Sequence, residues 1–514
     1  MGIAKTISTI FGVFFFVLIT NAQKEGLEKI DTFDLKTHLT FIASDELQGR
    51  RFGTEVDGLG IAADYIAANA RRLGLKPGFP DYFQQVDLVS TKTDASNFIE
   101  VVNEKGNSLY KSDLLVEMHH PEEPQLLKNI PVVLAGFGDN INRKDVKEKA
   151  VVVSVGSKES YNESSSRWNN RLERAKMDSL IALKPALVLV VSSVADKQDK
   201  AFKQIKSWYG RERFGLAKPE NGGNVAILLV LPELVDALLG GNNEYEKYLN
   251  ETAGTDKPGV REVDGNTVNV KDGRLQIPVD AKNVVAILEG SDPELKNECV
   301  VFMAHYDHLG MDENGEVYNG ADDNGSGTVT IMEVAEAFAA LHKKPKRSIV
   351  FLWVTGEELG LLGSEYYTSN PVFPPEKTVA CFNLDMVGRV FEDRDTVWNR
   401  SAKRVKDFDG LFTLSNNVWP ELQDINQKFC KKLGLEPDTT LPPPFLRSSD
   451  HYHFHKNNIP ILNYATGYHA DYHKIGDEVD KINFEKMKRV AELCFLVGLE
   501  VANKPHIKIN TPDQ

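Results

Sequence analysis

Short apolar runs alternate with helical patterns along the C-terminal half of the chain, and polar residues follow each run. A short apolar run bounded by polar, glycine-containing sequence is typical of a buried strand. Apolar residues at helical spacing follow the first run and also close the chain, at 328–338 and 484–502. These patterns predict an α/β fold in which helices flank a mixed central sheet. Its main strands are expected at 299–304, 348–355, 379–388 and 459–464.

The pattern before this region predicts a smaller domain inserted in the main one. Residues 32–75 have helical periodicity, interrupted by a polar, glycine-containing loop at 43–54. From about residue 117 the character changes to strand-like apolar runs with few helical stretches and no gathering of His, Asp and Glu. We expect a compact αβ insert at 117–263, and a main domain formed by 23–116 and 264–514.

Imidazole and carboxylate side chains stand at the ends of the predicted strands. In open α/β sheets, ligands bind at the edge formed by the carboxyl ends of the strands. Zinc is bound in proteins by histidine nitrogen and carboxylate oxygen. Each residue alone has an ordinary explanation, such as a turn or a solvated charge, but their joint placement predicts a metal site. The candidates are His305, Asp322, Glu357, Glu358, Asp385 and His473.

The first 22 residues have the pattern of a signal peptide. Lys5 supplies a positive charge, residues 7–19 are almost wholly apolar, and Thr20-Asn21-Ala22 resembles a cleavage site. The apolar run is short for a membrane span. An uncleaved anchor is the alternative. We therefore expect export to the periplasm or the medium, with no membrane span left after cleavage near Gln23.

Composition narrows the classes of partner and of metal site. The 514 residues carry a formal net charge of −14, which argues against nucleic acid as a partner because phosphate binding needs a basic surface. The four cysteines contain no CxxC pair, which excludes a zinc ribbon. Pairing of Cys430 with Cys494 stays open, and the oligomeric state is not predicted.

Several motifs together resemble the M28 family of zinc peptidases. They occur in the order typical of that family, and the opening 43–51 also resembles exported bacterial members. The insert is more weakly similar to a protease-associated (PA) domain. The matching motifs are Ala304-His-Tyr-Asp-His308, Gly320-Ala-Asp-Asp-Asn-Gly-Ser-Gly327, Gly356-Glu-Glu358, Asn383-Leu-Asp-Met386 and Tyr472-His473.

The resemblance implies a zinc-exopeptidase fold with two zinc ions per chain, bridged by Asp322. His305 and Asp385 would complete one site, and Glu358 and His473 the other. This donor set agrees with the ligands that zinc prefers.

The resemblance also implies supporting features around the ligands. Asp307 would orient the His305 imidazole by accepting a hydrogen bond from its far nitrogen. A cis peptide bond is expected after the bridging aspartate, at Asp322-Asp323.

The implied reaction is hydrolysis of a peptide bond by water that the two metals activate. Glu357 would be the general base, because its neighbour Glu358 already binds metal. Tyr472 would donate a hydrogen bond to the developing oxyanion, or it is simply a packed aromatic side chain.

Three functions compete at this point. The first is an aminopeptidase that acts on peptides, with carboxypeptidase specificity also open. The second is a one-zinc glutaminyl cyclase, disfavoured because His305, Asp385 and the acidic pair Asp322-Asp323 are all present. The third is a non-catalytic, transferrin-receptor-like protein, disfavoured because such proteins lose ligands and this chain has not.

Overall fold

The computed structural model describes most of the chain and divides it into two compact units. One unit comprises 1–88 and 279–514, and the other comprises 89–278. The described residues are 22–113, 115–119, 125–159, 170–192, 200–209, 211–217, 225–254, 260–390 and 408–507.

The chain begins the first unit with two helices and two strands. Helix α1 (Thr32–Ile42) is capped by Asp31, whose carboxylate accepts from the backbone N–H of residues 33 and 34. Helix α2 (Gly58–Arg72) is capped in the same way by Asp57. Strands β1 (Lys76–Pro77) and β2 (Phe83–Thr93) follow. The predicted pair of helices and the loop between them are confirmed.

The second unit is built on a sheet with its own apolar core. The sheet runs in the order β4-β3-β11-β6-β7-β8-β10-β5, and β9 is not part of it. The helices are α3 (Arg143–Val146), α4 (Asn170–Ala182), α5 (Lys200–Tyr209), α6 (Pro232–Leu239) and α7 (Glu244–Ala253). The strands are β3 (Phe98–Asn103), β4 (Ser108–Ser112), β5 (Val116–His119), β6 (Gln125–Leu134), β7 (Ala150–Ser154), β8 (Leu187–Val191), β9 (Arg213–Leu216), β10 (Ala226–Val230) and β11 (Arg261–Asp272).

This unit extends beyond the predicted insert, 117–263, on both sides. Strand β3 pairs antiparallel with β4 and with β11, so the segment before residue 117 is hydrogen-bonded to the segment after residue 263. Backbone pairing therefore draws both flanks into the second unit.

The chain then returns to the first unit and completes its sheet. The helices are α8 (Gly327–Ala339), α9 (Leu362–Ser369), α10 (Glu421–Leu433), α11 (His451–Lys456) and α12 (Phe484–Asn503). The strands are β12 (Arg274–Leu288), β13 (Cys299–His305), β14 (Gly310–Met311), β15 (Val317–Tyr318), β16 (Ser348–Val354), β17 (Thr378–Leu384), β18 (Gly410–Ser415), β19 (Glu436–Asp438) and β20 (Ile461–Ala465).

The sheet of the first unit is mixed, with a parallel centre. Its order includes β19-β18-β20-β17-β13-β16-β12. Strand β13 is parallel to β16 and β17, and β17 is parallel to β20, whereas β12 and β18 pair antiparallel. Every residue of β13, β16 and β17 is buried, because apolar side chains cover both faces. The predicted α/β fold class is confirmed, and its parallel strands end at one edge.

The cysteines and the N-terminal segment bear on two further predictions. All four cysteines are buried free thiols, so Cys430 and Cys494 do not pair. The predicted signal peptide, 1–22, lies outside the described residues apart from Ala22. Within the described ranges, no helix combines the length and the apolar character needed to cross a membrane.

Candidate metal centre

The parallel strands bring the predicted site residues to one edge of the sheet. His305 is the last residue of β13, and the next turn carries Asp307. Glu357 and Glu358 follow β16 by a short glycine-containing turn, and Asp385 directly follows β17. Because β16 and β17 flank β13 in parallel, all three strand ends lie side by side.

The two adjacent aspartates after β15 face different surroundings. Asp322 Oδ1 accepts from Gly388 N at 2.7 Å, and its Oδ2 lies 3.4 Å from His469 Nε2. Asp323 instead places Oδ1 3.5 Å from His305 Nε2 and Oδ2 3.1 Å from His473 Nε2. The carboxylate between the two predicted metal sites is therefore that of Asp323, where the sequence predicted Asp322.

The cis peptide bond also lies one residue further along the chain than predicted. The cis peptide bond joins Asp323 to Asn324, where the sequence predicted one between Asp322 and Asp323. Asp322 instead stabilises the turn. Its carboxylate accepts a hydrogen bond from Gly388 N, and its carbonyl accepts one from Ser326 Oγ at 2.8 Å.

His305, Asp385 and Glu357 form one group of potential metal ligands. The His305 Nε2 atom lies 3.5 Å from Asp385 Oδ1 and 4.0 Å from Glu357 Oε2. One ligand atom from each residue falls within a sphere small enough for a single ion. The structure thus brings the predicted pair His305 and Asp385 together, with Glu357 beside them.

Glu358 is the centre of a second group. His473 Nε2 lies 3.3 Å from Glu358 Oε2, and His308 Nδ1 lies 2.8 Å from Glu358 Oε1. His308, named above only as the end of the motif that begins at Ala304, is fully buried. Its Nδ1 is 3.9 Å from Asp323 Oδ2, whereas His473 Nε2 is 3.1 Å from the same atom. His473 is therefore the imidazole nearer to Asp323, whereas His308 is the one nearer to Glu358.

Asp307 supports both groups through backbone contacts. Its Oδ1 accepts from Glu357 N at 3.2 Å, and its Oδ2 accepts from Glu358 N at 3.3 Å. The predicted contact to His305 is longer, with 3.7 Å between His305 Nδ1 and Asp307 Oδ1. The atom nearer to that nitrogen is the Asp307 backbone carbonyl, at 3.2 Å. The carboxylate therefore fixes the Glu357-Glu358 turn more directly than the imidazole.

The two glutamates differ in proton affinity although they are adjacent. Burial raises the pKa of Glu357 well above its usual value, and Asp450, Asp385 and Glu358 add to this against the opposing charge of His305. Burial also acts on Glu358, but hydrogen bonds from His308 and His473 outweigh it and lower its pKa. The pKa of Glu358 is thus lowered and that of Glu357 is raised, although the two residues are adjacent.

Asp450 is a buried carboxyl group that the sequence analysis did not single out individually. Ser364 Oγ donates to its Oδ1 at 2.6 Å, and burial raises its pKa to about 7. Its Oδ2 has no hydrogen-bond partner within the described ranges. In the sequence it stands in Ser449-Asp450-His451, directly before a short helix, where a lone aspartate is usually explained as a turn residue.

Tyr472 stands beside the second group. Its ring stacks on the His473 ring, with 3.9 Å between centroids, and Tyr468 packs edge-on against it at 4.7 Å. Burial, followed by the charge of Asp323, raises the pKa of the Tyr472 phenol, so it stays protonated at neutral pH. It can therefore donate a hydrogen bond.

The donor set fits zinc. His305 Nε2 and Asp323 Oδ2 are buried and make no hydrogen bond of normal geometry with any described residue. Buried polar atoms are rarely left in this state unless an ion or water engages them. Two imidazoles and several carboxylates supply the nitrogen and oxygen ligands that zinc uses.

Comparison with known proteins shows which family this region resembles. Residues 283–497, here called the M28 segment, match Peptidase family M28. Aminopeptidase YwaD of Bacillus subtilis (strain 168) is 27% identical over 260 residues, covering 48% of this chain and 51% of that protein. Leucine aminopeptidase 2 of Trichophyton rubrum is 30% identical over 227 residues, covering 39% and 41%. This chain thus spans about half the length of these relatives or less.

Among solved structures, the chain resembles BSAP, a zinc aminopeptidase from Bacillus subtilis. The TM-score is 0.45 at 18% sequence identity, over 94% of this chain and 98% of that one.

Proposed function

We propose that this chain is a zinc-dependent aminopeptidase that removes N-terminal residues from peptides. The observation that carries the proposal is the Asp323 carboxylate, whose oxygens lie 3.5 Å from His305 Nε2 and 3.1 Å from His473 Nε2. A carboxylate shared in this way is the arrangement that two-metal hydrolysis needs. The similarity of the M28 segment to aminopeptidases supports the same activity.

Two zinc ions per chain are proposed, with Asp323 as the shared ligand. His305 and Asp385 would hold one ion, and Glu358 and His473 the other. Asp322 gives up the predicted bridging role because its carboxylate is engaged by Gly388 N and faces His469. When bound, zinc supplies Lewis-acid activation of water and of the scissile carbonyl.

Glu357 is proposed as the general base. It is adjacent to the ligand Glu358, yet its carboxylate turns toward His305 and Asp385 instead of toward the second group. A carboxylate there can take a proton from water and return it to the leaving amine. Tyr472 is placed on the opposite, His473 side and would donate a hydrogen bond to the developing oxyanion.

The similarity to named aminopeptidases favours a substrate with a free α-amine. Aminopeptidase specificity is therefore proposed over carboxypeptidase specificity.

A release assay with zinc present tests the proposed function. The panel contains peptides with a free N-terminus, with a blocked N-terminus and with a blocked C-terminus. We expect release from every peptide with a free N-terminus and none from N-blocked peptides. Release that requires a free C-terminus would replace the proposal with a carboxypeptidase. Ring closure of an N-terminal glutamine, with one zinc ion and no release, would replace it with a cyclase.

Export and the nature of the insert are further proposals. The basic and apolar pattern of residues 1–22 supports export to the periplasm or the medium. N-terminal sequencing of the protein from those fractions should begin near Gln23. The second unit is proposed to be a PA-like domain, which its separate αβ core supports.

A further inference from the structure

Arg50 is a fully buried cation that lies before the M28 segment. Among the residues that the structure describes, its guanidinium donates to four backbone carbonyls: Nε to Tyr306 O at 2.8 Å, Nη1 to Ile42 O and Asn319 O at 2.6 Å each, and Nη2 to Gly320 O at 3.0 Å. The planar fork of arginine suits several fixed acceptors at once, which lysine cannot match.

These acceptors belong to the backbone that carries the proposed ligands. Tyr306 directly follows His305, and Gly320 begins the loop that leads to Asp323. One side chain thus joins the end of β13 to the loop after β15. Because ligands must be held close to their working geometry, a tie at this point controls the separation of His305 and Asp323.

Backbone hydrogen bonds at and next to Arg50 also join the 43–54 loop to the segment after β13. His308 N donates to Arg50 O at 3.0 Å, and Gly310 N donates to Gly49 O at 3.0 Å. Gly49 has a φ of +68°, and a Cβ there would lie 2.3 Å from Gly310 O. Because residue 49 is glycine, the two backbone segments can approach each other this closely. The close approach places the Arg50 side chain beside the backbone of the metal centre.

The positive charge of Arg50 acts on several carboxylates of the site. Within the described residues, its guanidinium hydrogen bonds go to carbonyls and not to carboxylates. The carboxylates that act on it are those of Asp307, Asp477, Asp323 and Glu358, and burial lowers its pKa only to about 10. It remains a cation at neutral pH and offsets part of the repulsion among the crowded carboxylates.

We propose that Arg50 is a positioning residue of the metal centre, which fixes the His305 and Asp323 backbones relative to each other and supplies a buried counter-charge. This inference rests on the proposed function for the identity of the metal. It assigns a role to the 43–54 loop, which contributes no proposed ligand.

The test compares Arg50→Lys and Arg50→Gln with Arg51→Lys and Arg51→Gln. Arg51 is the matched control, because it is the neighbouring, exposed arginine and donates to one carbonyl, Leu309 O at 3.0 Å. Three quantities are measured on the full chain: thermal unfolding of the zinc-free protein, zinc affinity by competition with a chromophoric chelator, and kcat and KM for an aminoacyl anilide.

We expect Arg50→Lys and Arg50→Gln to fold and to bind zinc roughly 10- to 100-fold more weakly, as seen when residues that support metal ligands are replaced. At saturating zinc, kcat should fall more than KM changes, because the ligands remain present but misplaced. Arg50→Gln should be the less stable of the two zinc-free variants, since it also loses the charge that offsets repulsion among the carboxylates. The Arg51 variants should match the wild type.

Zinc affinity and kcat equal to those of the Arg51 variants would overturn the proposal, even if the Arg50 variants unfold at lower temperature. So would failure of both Arg50 variants to fold without zinc, since Arg50 would then be needed for the fold itself. A wild-type protein that binds zinc but releases no residue would overturn the aminopeptidase proposal and leave the affinity comparison valid.

Discussion

The general base gives the sharpest prediction at the scale of single residues. Glu357→Gln keeps the shape of the side chain and its surroundings but cannot take a proton from water. We expect kcat to fall by at least about 100-fold. Zinc content should stay near that of the wild type, because Glu357 is not among the proposed ligands.

Steady-state kinetics and metal analysis of one preparation check this, with Glu313→Gln as an exposed control. If Glu357→Gln kept most of its activity, the assignment of base and ligand to the two glutamates would be wrong.

The shared ligand gives a second prediction. Asp323→Ala removes the carboxylate between His305 and His473, so both zinc ions should be lost or strongly weakened. Asp322→Asn is the matched control, because its amide oxygen can still accept from Gly388 N and its side chain does not face the cluster. Zinc per chain is measured after dialysis. If both variants lost the same amount of zinc, Asp323 would not be distinguished from Asp322 as the shared ligand, contrary to the prediction.

At this scale the sequence predicted which strand ends carry chemistry but not which way each side chain points. His305, Glu358, Asp385 and His473 were predictable because each follows a buried apolar run. Asp322 and Asp323 are adjacent in one tight turn, and only the folded backbone decides which carboxylate faces the imidazoles. Arg50 gave no signal, because its partners are backbone carbonyls that any sequence would supply.

At the scale of elements, helix α8 contains a buried carboxyl group outside the site. Glu333 is 1% exposed, its Oε2 accepts from Asp31 N at 3.3 Å, and its Oε1 has no partner among the described residues. Burial raises its pKa from 4.5 to about 8, with Asp34 and Glu336 adding to the shift. The folded state therefore favours the protonated form.

The sign of the pH effect follows from this shift. Below about pH 4.5 the carboxyl group is protonated in both the folded and the unfolded state. Its titration then does not change the free energy of unfolding. As pH rises toward 8, the unfolded chain releases the proton and the folded chain does not, so the free energy of unfolding falls. Glu333→Gln should be more stable than the wild type at pH 8, by on the order of a few kcal/mol.

Thermal unfolding of the two proteins at several pH values between 5 and 9 measures the difference. It should be small at pH 5 and grow as pH rises. A difference that does not vary with pH would show that Glu333 does not ionise on unfolding as proposed.

The elements themselves were largely predictable, because apolar runs and helical spacing reflect burial directly. The predicted runs at 299–304, 348–355, 379–388 and 459–464 correspond to β13, β16, β17 and β20, although β17 ends at Leu384. The extent of the second unit was not predictable in the same way. Pairing of β3 with β11 joins segments far apart in sequence, and no local pattern specifies it.

At the scale of the whole molecule, the first unit has its own apolar core. Both hydrophobic clusters around its sheet consist of residues from 1–88 and 279–514. All of the proposed ligands, with Glu357 and Arg50, lie in the same unit. The chain also leaves and re-enters it at neighbouring points, since Gln85 Nε2 donates to Asp280 Oδ1 at 3.0 Å. A short linker can therefore replace the second unit.

We predict that replacing 89–278 with a short Gly-Ser linker leaves a folded protein that binds two zinc ions. Hydrolysis of a small aminoacyl anilide should persist, because every group proposed to touch metal or substrate remains. Any change should concern the preference among substrates, since the second unit contributes no proposed ligand. Circular dichroism and cooperative unfolding establish that the variant folds before zinc is counted. A folded variant without zinc would show that the metal centre depends on the second unit, contrary to the separate cores.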